Sequence, residues 1–423
     1  MQKFRIKGGL PLKGEVKVSS AKNSILPIIA ATILCDDECI IENFPMLEDV
    51  SVICDVLKSL NVNVQMDNDN NILKIDGRNM DSLNLSEDLI RKMRASFLVL
   101  GPLLSRFGKA RIYMPGGCNI GLRPIDLHLK GLEALGADIS IKDGCVDISA
   151  RKLKGTNIYL DFPSVGATEN LIMAGALADG VTIIENAAKE PEIVDLAIFI
   201  NGMGGDIEGA GSSKIVINGV KKLKGIRHMP IYDRIEAGTY MALAAITKSK
   251  FKIKGVNEDH LRAVISKFYE MGLDITINGT DVLVNGNVDL KPINIKTLPH
   301  PGFPTDMQPQ LMSLLSLVSG TSTIVETIFE NRFMHVMELR RMGANISIHD
   351  RVAVIEGIEK FIPSRVKATD LRAGAALILA ALSCEGESEI TDIYHIDRGY
   401  SQIENKLRNL GAEIFRLTDK TSI

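Results

Sequence analysis

No stretch of this 423-residue chain is apolar for long enough to cross a membrane. The longest runs, such as Ala373 to Cys384, fall well short of the ~18 to 20 residues a span requires. The opening Met1-Gln2-Lys3-Phe4-Arg5 leads into Gly8-Gly9 without the apolar core of a signal peptide, so a cytoplasmic protein is expected. An excess of one charge is also missing. Lys and Arg number 49 against 52 Asp and Glu, a formal net charge of −3, which gives no chain-wide basic field to hold nucleic acid or an anionic membrane surface. Any anion binding has to be local. The six cysteines (35, 39, 54, 118, 145 and 384) form no CxxC element and read as free thiols rather than as zinc ligands or a disulfide framework. The seven histidines show no HxxxH spacing, so no metal ligand set is expected. What is present is ordinary globular composition, 45% apolar and 24% charged, which excludes extensive disorder. At ~150 residues per domain the length suits two or three domains.

One pattern recurs: the apolar end of a helix, usually Gly, a small residue, Asp, Glu or Asn, and then Ile or Val. Its pivots are Asn61, Gly136, Gly204, Gly272, Gly343 and Gly411, spaced by 75, 68, 68, 71 and 68 residues. Gly or Asn just past a helix end takes the left-handed conformation that stops it, and the alternation that follows starts a strand. Six copies at near-constant spacing make a repeat of about 70 residues that covers essentially the whole chain. Apolar helices are expected to open near Lys22, Arg94, Thr168, Glu236, Asp306 and Arg372. Several, notably Ala167 to Ala178 and Arg372 to Leu382, are rich in Ala and Gly and apolar nearly all round, so they should be buried. The second helix of each unit, for example Asp126 to Leu135 and His335 to Met342, mixes apolar with charged residues and should be half exposed. One repeat cannot cover its own core, so two similar α/β domains of three repeats each are expected.

Polar residues mark the starts of the apolar helices: Lys22-Asn23, Arg94, Asp306 and Asp370 to Arg372. Cations there oppose the helix dipole and need a reason. Two readings follow: a nearby carboxylate balances each one, or together they form one site for a phosphate or carboxylate. Their recurrence at equivalent positions favours the shared anion site.

Cys118 follows two glycines and precedes Gly121 and Arg123. Its loop is permissive and a cation stands near its thiol, which favours the thiolate. The other cysteines sit in apolar or ordinary helical surroundings. Asp306 follows a stretch stiffened by Pro299, Pro301 and Pro304. It reads equally as a charge at a helix start or as a general base facing an anion site. Further loops, Phe329 to His335 and Ile396 to Gln402, should emerge at related places.

These motifs resemble those of the UDP-N-acetylglucosamine 1-carboxyvinyltransferases, enolpyruvyl transferases of bacterial peptidoglycan synthesis. The similarity runs from Gly9-Leu-Pro-Leu-Lys-Gly-Glu-Val16 to the last repeat. It is carried by Ala21-Lys22-Asn23, Met93-Arg94-Ala95-Ser96, the Cys118 loop, Pro163 to Thr168, Asp233-Arg-Ile-Glu236, the Asp306 segment, Asn331-Arg332-Phe333 and Asp397-Arg398-Gly399. The resemblance implies an α/β fold of two inside-out domains. Residues 22–231 would be inserted into a domain made of 1–21 and 232–423, with the active site in the cleft between them. It implies transfer of the enolpyruvyl group of phosphoenolpyruvate to the 3-hydroxyl of UDP-N-acetylglucosamine through a tetrahedral intermediate, with release of phosphate. No cofactor and no metal are implied.

By match to the family, Cys118 is the proton donor and the site of attack by fosfomycin, and Asp306 is the base or orients the hydroxyl. Lys22, Asn23, Arg123, Arg372 and Arg398 would contact phosphoenolpyruvate. Asn23, Arg94, Arg123, Pro124, Ile125, Asp126, Leu127, Ser164, Val165, Gly166, Asp306 and Ile328 would contact the nucleotide sugar. The shikimate-pathway enolpyruvyl transferases are the nearest alternative, and the Cys118 loop argues against them. A non-catalytic paralogue that senses the nucleotide sugar would need neither acid nor base. The oligomeric state is not legible in the sequence.

Overall fold

The computed structural model describes residues 2–80, 85, 87–114, 120–121 and 125–418. The chain divides into an inserted unit, Ser20–Cys118 with Arg123–Ile231, and a discontinuous unit, Met1–Ser19 with Asn119–Leu122 and Tyr232–Ile423.

The repeat is an α/β module, seen plainly between residues 294 and 356. Strand Asn294–Lys296 leads through the buried helix Gln308–Leu315 to strand Thr321–Val325, which pairs with it in parallel. The surface helix Val336–Arg341 follows, and then the hairpin Asn345–His349 and Val352–Glu356, whose second strand pairs antiparallel with Thr321–Val325. Five four-stranded sheets and one three-stranded sheet of this kind are formed among the described residues. The last module borrows its central strand from the other end of the chain. Gln2–Gly8 lies antiparallel between Gly386–Thr391 and Glu413–Thr418.

The pivots stop their helices as the repeat requires. Asn61, Gly136, Gly204, Gly272, Gly343 and Gly411 have φ of 65°, 93°, 100°, 90°, 96° and 97°, the left-handed region open to Gly and tolerated by Asn.

Each unit places helices inside and sheets outside. In the discontinuous unit the helices Arg234–Ile246, Gln308–Leu315 and Leu371–Ser383 pack on one another. All thirteen residues of the first are buried. The surface helix Glu258–Met271 instead buries only Leu261, Val264, Ile265, Phe268 and Met271, the stripe expected of a helix with one face to solvent. In the inserted unit the helices Lys22–Ala31, Leu100–Phe107 and Val165–Gly175 fill the interior. The strands alternate buried and exposed positions, as in Lys250–Lys254, so each sheet turns one face to the helices and one to water.

Two expected helix starts differ in kind. Arg94 opens a 3-10 turn, Arg94–Val99, that only then becomes the helix Leu100–Phe107, and Asp306 lies in the 3-10 turn Thr305–Met307 before Gln308–Leu315. Pro102 and Pro309 stand in the first turn of the two α-helices, where the missing N–H costs nothing. Two others begin earlier than expected, at Val165 rather than Thr168 and at Arg234 rather than Glu236. Their caps are Ser164, which accepts from Ala167 N, and Asp233, which accepts from Ile235 N and Glu236 N.

Candidate active site

In the discontinuous unit the charges at the helix starts form one network. Asp306 accepts from two arginines: Arg332 Nη2 reaches Oδ1 at 3.0 Å and Arg372 Nη2 reaches Oδ2 at 3.0 Å. Both guanidinium groups are buried, with side chains 2% and 3% exposed, whereas the Asp306 side chain is 26% exposed. Arg372 is the second residue of its helix, and Asp370 caps that helix by accepting from Arg372 N at 2.8 Å and Ala373 N at 3.1 Å. Asp370 Oδ1 also lies 3.6 Å from Arg332 Nη1.

Arg372 stacks on Tyr400, its Cζ 5.4 Å from the ring centroid. The Tyr400 hydroxyl is held by Thr239 Oγ1 at 2.9 Å and Gln310 Nε2 at 3.1 Å. Burial opposes the Arg372 charge, but Asp306, Tyr400 and Asp233 together outweigh it and keep the group firmly protonated. His335 is wholly buried beside this network. Burial pushes its pKa down to about 4, against a pull upward from Asp370, with Arg332 adding to the depression. It is therefore neutral at pH 7.

Glu326 fixes the approach to Asp306. Its carboxylate accepts from Thr297 Oγ1 and Thr305 Oγ1 at 2.9 Å each, from Ile328 N at 2.8 Å and from Phe329 N at 3.2 Å. The turn that carries Ile328 and the turn that carries Asp306 are thus tied to one buried carboxylate. Next to Arg332, Asn331 N donates to Ile120 O at 3.1 Å. Gly121 follows with φ 147°, and a Cβ there would lie 2.7 Å from Glu330 Oε2, so a larger residue would strain the backbone and push the Glu330 carboxylate aside. Arg398 follows the short helix Tyr394–Asp397 and is half-buried. Asp397 itself is occupied by Arg416, at 2.8 and 2.7 Å.

In the inserted unit, Lys22 opens its helix without a side-chain cap from Ala21. Its ammonium lies 2.6 Å from Asp49, whose side chain is 4% exposed. Lys22 and Arg372 thus both face carboxylates, which accounts for cations at helix starts. It does not preclude an anion site, because an ion pair at a partly open site can exchange partners. Asn23 is exposed.

Ile125, Asp126 and Leu127 open the helix Asp126–Ala134, while Ser164, Val165 and Gly166 open Val165–Gly175. The two starts meet through His128. Its Nδ1 is 2.9 Å from Asn170 Nδ2, and a Cβ on Gly166 would lie 3.2 Å from its Cε1. Glu169 is buried nearby, its carboxyl held up by burial and then by the charges of Glu192 and Glu190. Cys118, Arg123, Pro124 and the Arg94 side chain lie outside the described residues.

Arg332, Asp370, Glu326, His335 and Asp49 escape the sequence-derived site list. Arg332 and His335 stood within named motifs, but the sequence does not mark Asp49, whose partner Lys22 is distant in the chain, or Glu326, which joins its near neighbours Ile328 and Phe329 to the distant Thr297 and Thr305. Among the described residues no cluster of three His, Cys, Asp or Glu is placed to hold a metal ion.

Compared with known proteins, residues 6–407 match the model of the EPSP synthase (3-phosphoshikimate 1-carboxyvinyltransferase) family. The UDP-N-acetylglucosamine 1-carboxyvinyltransferase 2 of Clostridium tetani is 62% identical over 417 residues, covering 99% of this chain and 100% of that one. The chain belongs to the EPSP synthase family. Within it, the UDP-N-acetylglucosamine 1-carboxyvinyltransferase 1 of Clostridium acetobutylicum is 60% identical over 99% of this chain and 100% of its own. Among solved structures, the enolpyruvyl transferase NikO from Streptomyces tendae superposes with a TM-score of 0.89 at 27% identity, covering 99% of each chain. EPSP synthase from Acinetobacter baumannii shares the fold, with a TM-score of 0.78 at 21% identity over 99% of this chain and 100% of that one. The enolpyruvyl transferase fold, with its α/β modules, is thus that of the family.

Proposed function

We propose that this chain transfers the enolpyruvyl group of phosphoenolpyruvate to the 3-hydroxyl of UDP-N-acetylglucosamine and releases phosphate. The observation that carries the reading is full-length identity of 62% to a relative named for that transfer. The paired charges at Lys22, Asp306 and Arg372 supply the chemistry it needs.

The addition step requires a proton for C3 of phosphoenolpyruvate and removal of one from the sugar hydroxyl, with cations to hold phosphate and carboxylate through the tetrahedral intermediate. Cys118 is assigned as the proton donor and Asp306 as the group that meets the hydroxyl. Lys22, Arg123, Arg372 and Arg398 are assigned to phosphoenolpyruvate, with Asn23 beside them. An arginine offers a fixed fork to a carboxylate or phosphate, while Lys22 acts closer to a point charge.

Asn23, Arg94, Arg123 to Leu127, Ser164 to Gly166, Asp306 and Ile328 are assigned to the nucleotide sugar. The convergence of residues 125–128 with 164–166 supports this, since the two helix starts present backbone N–H groups suited to an anionic ligand. Action on a cytoplasmic nucleotide sugar agrees with the finding that no described helix is long and apolar enough to cross a membrane. The test is phosphate release from phosphoenolpyruvate with UDP-N-acetylglucosamine or shikimate 3-phosphate as acceptor. Release with the nucleotide sugar alone supports the reading, and release with shikimate 3-phosphate alone refutes the acceptor.

A further inference from the structure

Arg398 sits in a stretch of chain that does not hold its own shape. The helix before it, Tyr394–Asp397, is only 4 residues long, too short to persist unaided. Beyond it Gln402 takes φ 46°, which is unfavourable for a residue other than Gly and calls for support from its surroundings. Packing fixes part of the stretch. A Cβ on Gly374 would lie 2.4 Å from Ile396 Cγ1, and one on Gly399 2.6 Å from Leu371 Cδ2, so Ile396 and Gly399 press closely on the helix Leu371–Ser383.

The two ends of the stretch meet on one guanidinium. Arg416, in the strand Glu413–Thr418, grips Asp397 by both oxygens, Nη1 to Oδ2 at 2.8 Å and Nη2 to Oδ1 at 2.7 Å, and its Nε donates to Glu404 Oε1 at 2.7 Å. A further bond, Nη1 to Gln2 Oε1 at 3.0 Å, ties the same group to the first strand, and its Cζ lies 4.9 Å from the Phe4 ring centroid. Asp397 immediately precedes Arg398, and Glu404 lies in the first turn of the helix Ile403–Asn409. Residues 397–404 thus form a loop pinned at both ends to one cation, with Arg398 inside it. The side chains of Arg416, Asp397 and Glu404 are 25%, 31% and 10% exposed, and in that partial shelter a two-oxygen fork holds better than it would at an open surface.

We propose that Arg416 is a positioning residue for this reaction: by clamping Asp397 and Glu404 on one guanidinium, it fixes the backbone that aims Arg398 at phosphoenolpyruvate. The proposal rests on the enolpyruvyl-transfer reading above, which assigns Arg398 to that substrate. A guanidinium that meets a phosphate or carboxylate as a fork has to arrive in a set plane, and a shift of about 1 Å in its carrier spoils that fit. The clamp also offsets the carboxylates at 397 and 404, whose charges would otherwise oppose an anionic substrate. Both effects act on phosphoenolpyruvate. No residue assigned to the nucleotide sugar lies between 397 and 404.

The experiment is a double-mutant cycle between Arg416→Lys and Arg398→Ala, read as kcat/KM for phosphoenolpyruvate by phosphate release, with nucleotide-sugar affinity measured by calorimetry. Lysine keeps the charge, but its single ammonium cannot take both Asp397 oxygens and Glu404 together. Arg416→Lys should lower kcat/KM by ~10-fold in the parent, mainly through a raised KM, as expected for the loss of about one charge-assisted hydrogen bond to the substrate. In the Arg398→Ala background the same change should cost less than about threefold, because the residue it acts through is gone. The affinity for UDP-N-acetylglucosamine should move by less than about threefold in either background. Equal losses in both backgrounds, an unchanged KM for phosphoenolpyruvate, or an equal weakening of the nucleotide sugar would overturn the positioning role. Arg416→Gln runs through the same cycle as a second variant, with the same expectation. Unfolding of both would assign Arg416 to the core and also overturn the proposal. Parent protein that releases no phosphate with UDP-N-acetylglucosamine defeats the functional reading itself. An active parent without coupling defeats only the role of Arg416.

Discussion

Lys22 illustrates how a residue that looks misplaced is made tolerable. Its ammonium opposes the dipole of the helix it opens, and Asp49 offsets that at 2.6 Å. Removing one partner of a buried pair leaves the other charged and poorly solvated, which costs about 3 kcal/mol. Lys22→Met should therefore lower the urea midpoint of the inserted unit, and adding Asp49→Asn should recover much of the loss. An unchanged midpoint in the single variant would show that the pair contributes nothing.

His335 makes a pH-dependent contribution of opposite logic. The unfolded chain takes up this proton near the ordinary histidine value, about 6.5, but the folded chain only near pH 4. The folded state thus binds fewer protons between those values. Stability is complete above about pH 6.5 and declines as pH falls toward 4, by on the order of 3 kcal/mol. His335→Gln should make the unfolding midpoint less sensitive to pH across that window. A profile identical to that of the parent would mean that folding does not depress the His335 pKa. Neither effect was legible in the sequence, because Asp49 and the burial of His335 are created by the fold.

At the scale of elements, the pivot residues were legible because the physics is local. A helix that must stop and turn into a strand needs a left-handed residue, and Gly or Asn is the cheapest choice. A second glycine register, at Gly8, Gly219, Gly286 and Gly357, went unread. These residues end or follow a strand where it passes over the end of a buried helix. A Cβ on Gly286 would lie 1.9 Å from Ala244 O, and one on Gly357 2.0 Å from Val318 O. Only the packed structure shows this, since nothing adjacent in sequence demands glycine there. Gly286→Ala should force sheet and helix apart and destabilise the protein by about 1–3 kcal/mol, read as a lowered thermal midpoint. Gly136 has nothing within 4 Å of such a Cβ, so Gly136→Ala reports only the strain of its positive φ. No loss in Gly286→Ala would contradict the close-packing account, because that position carries no positive φ to explain a loss otherwise. The 3-10 turns at Arg94 and Asp306 were missed because Pro102 and Pro309, which mark the starts of the α-helices that follow, were not weighed as helix-start signals.

At the scale of the molecule, the α/β class and the sixfold repeat followed from spacing alone. The chain traverses the units Ser20–Cys118 with Arg123–Ile231 and Met1–Ser19 with Asn119–Leu122 and Tyr232–Ile423, a division that local sequence signals do not state. The individual roles of Cys118, Lys22, Asp306 and Arg398 rest on family motifs joined to the charge network. If Cys118 donates the proton, Cys118→Ser should lower kcat by at least ~10²-fold while calorimetry shows the nucleotide sugar still bound. Full activity would remove Cys118 from the mechanism.

The identity of the acceptor decides the function. The most direct measurement is phosphate release by the purified parent protein from phosphoenolpyruvate, with UDP-N-acetylglucosamine and shikimate 3-phosphate supplied in separate reactions. The expectation is release with the nucleotide sugar and none above background with shikimate 3-phosphate. Release with shikimate 3-phosphate alone, or with neither acceptor, would contradict it.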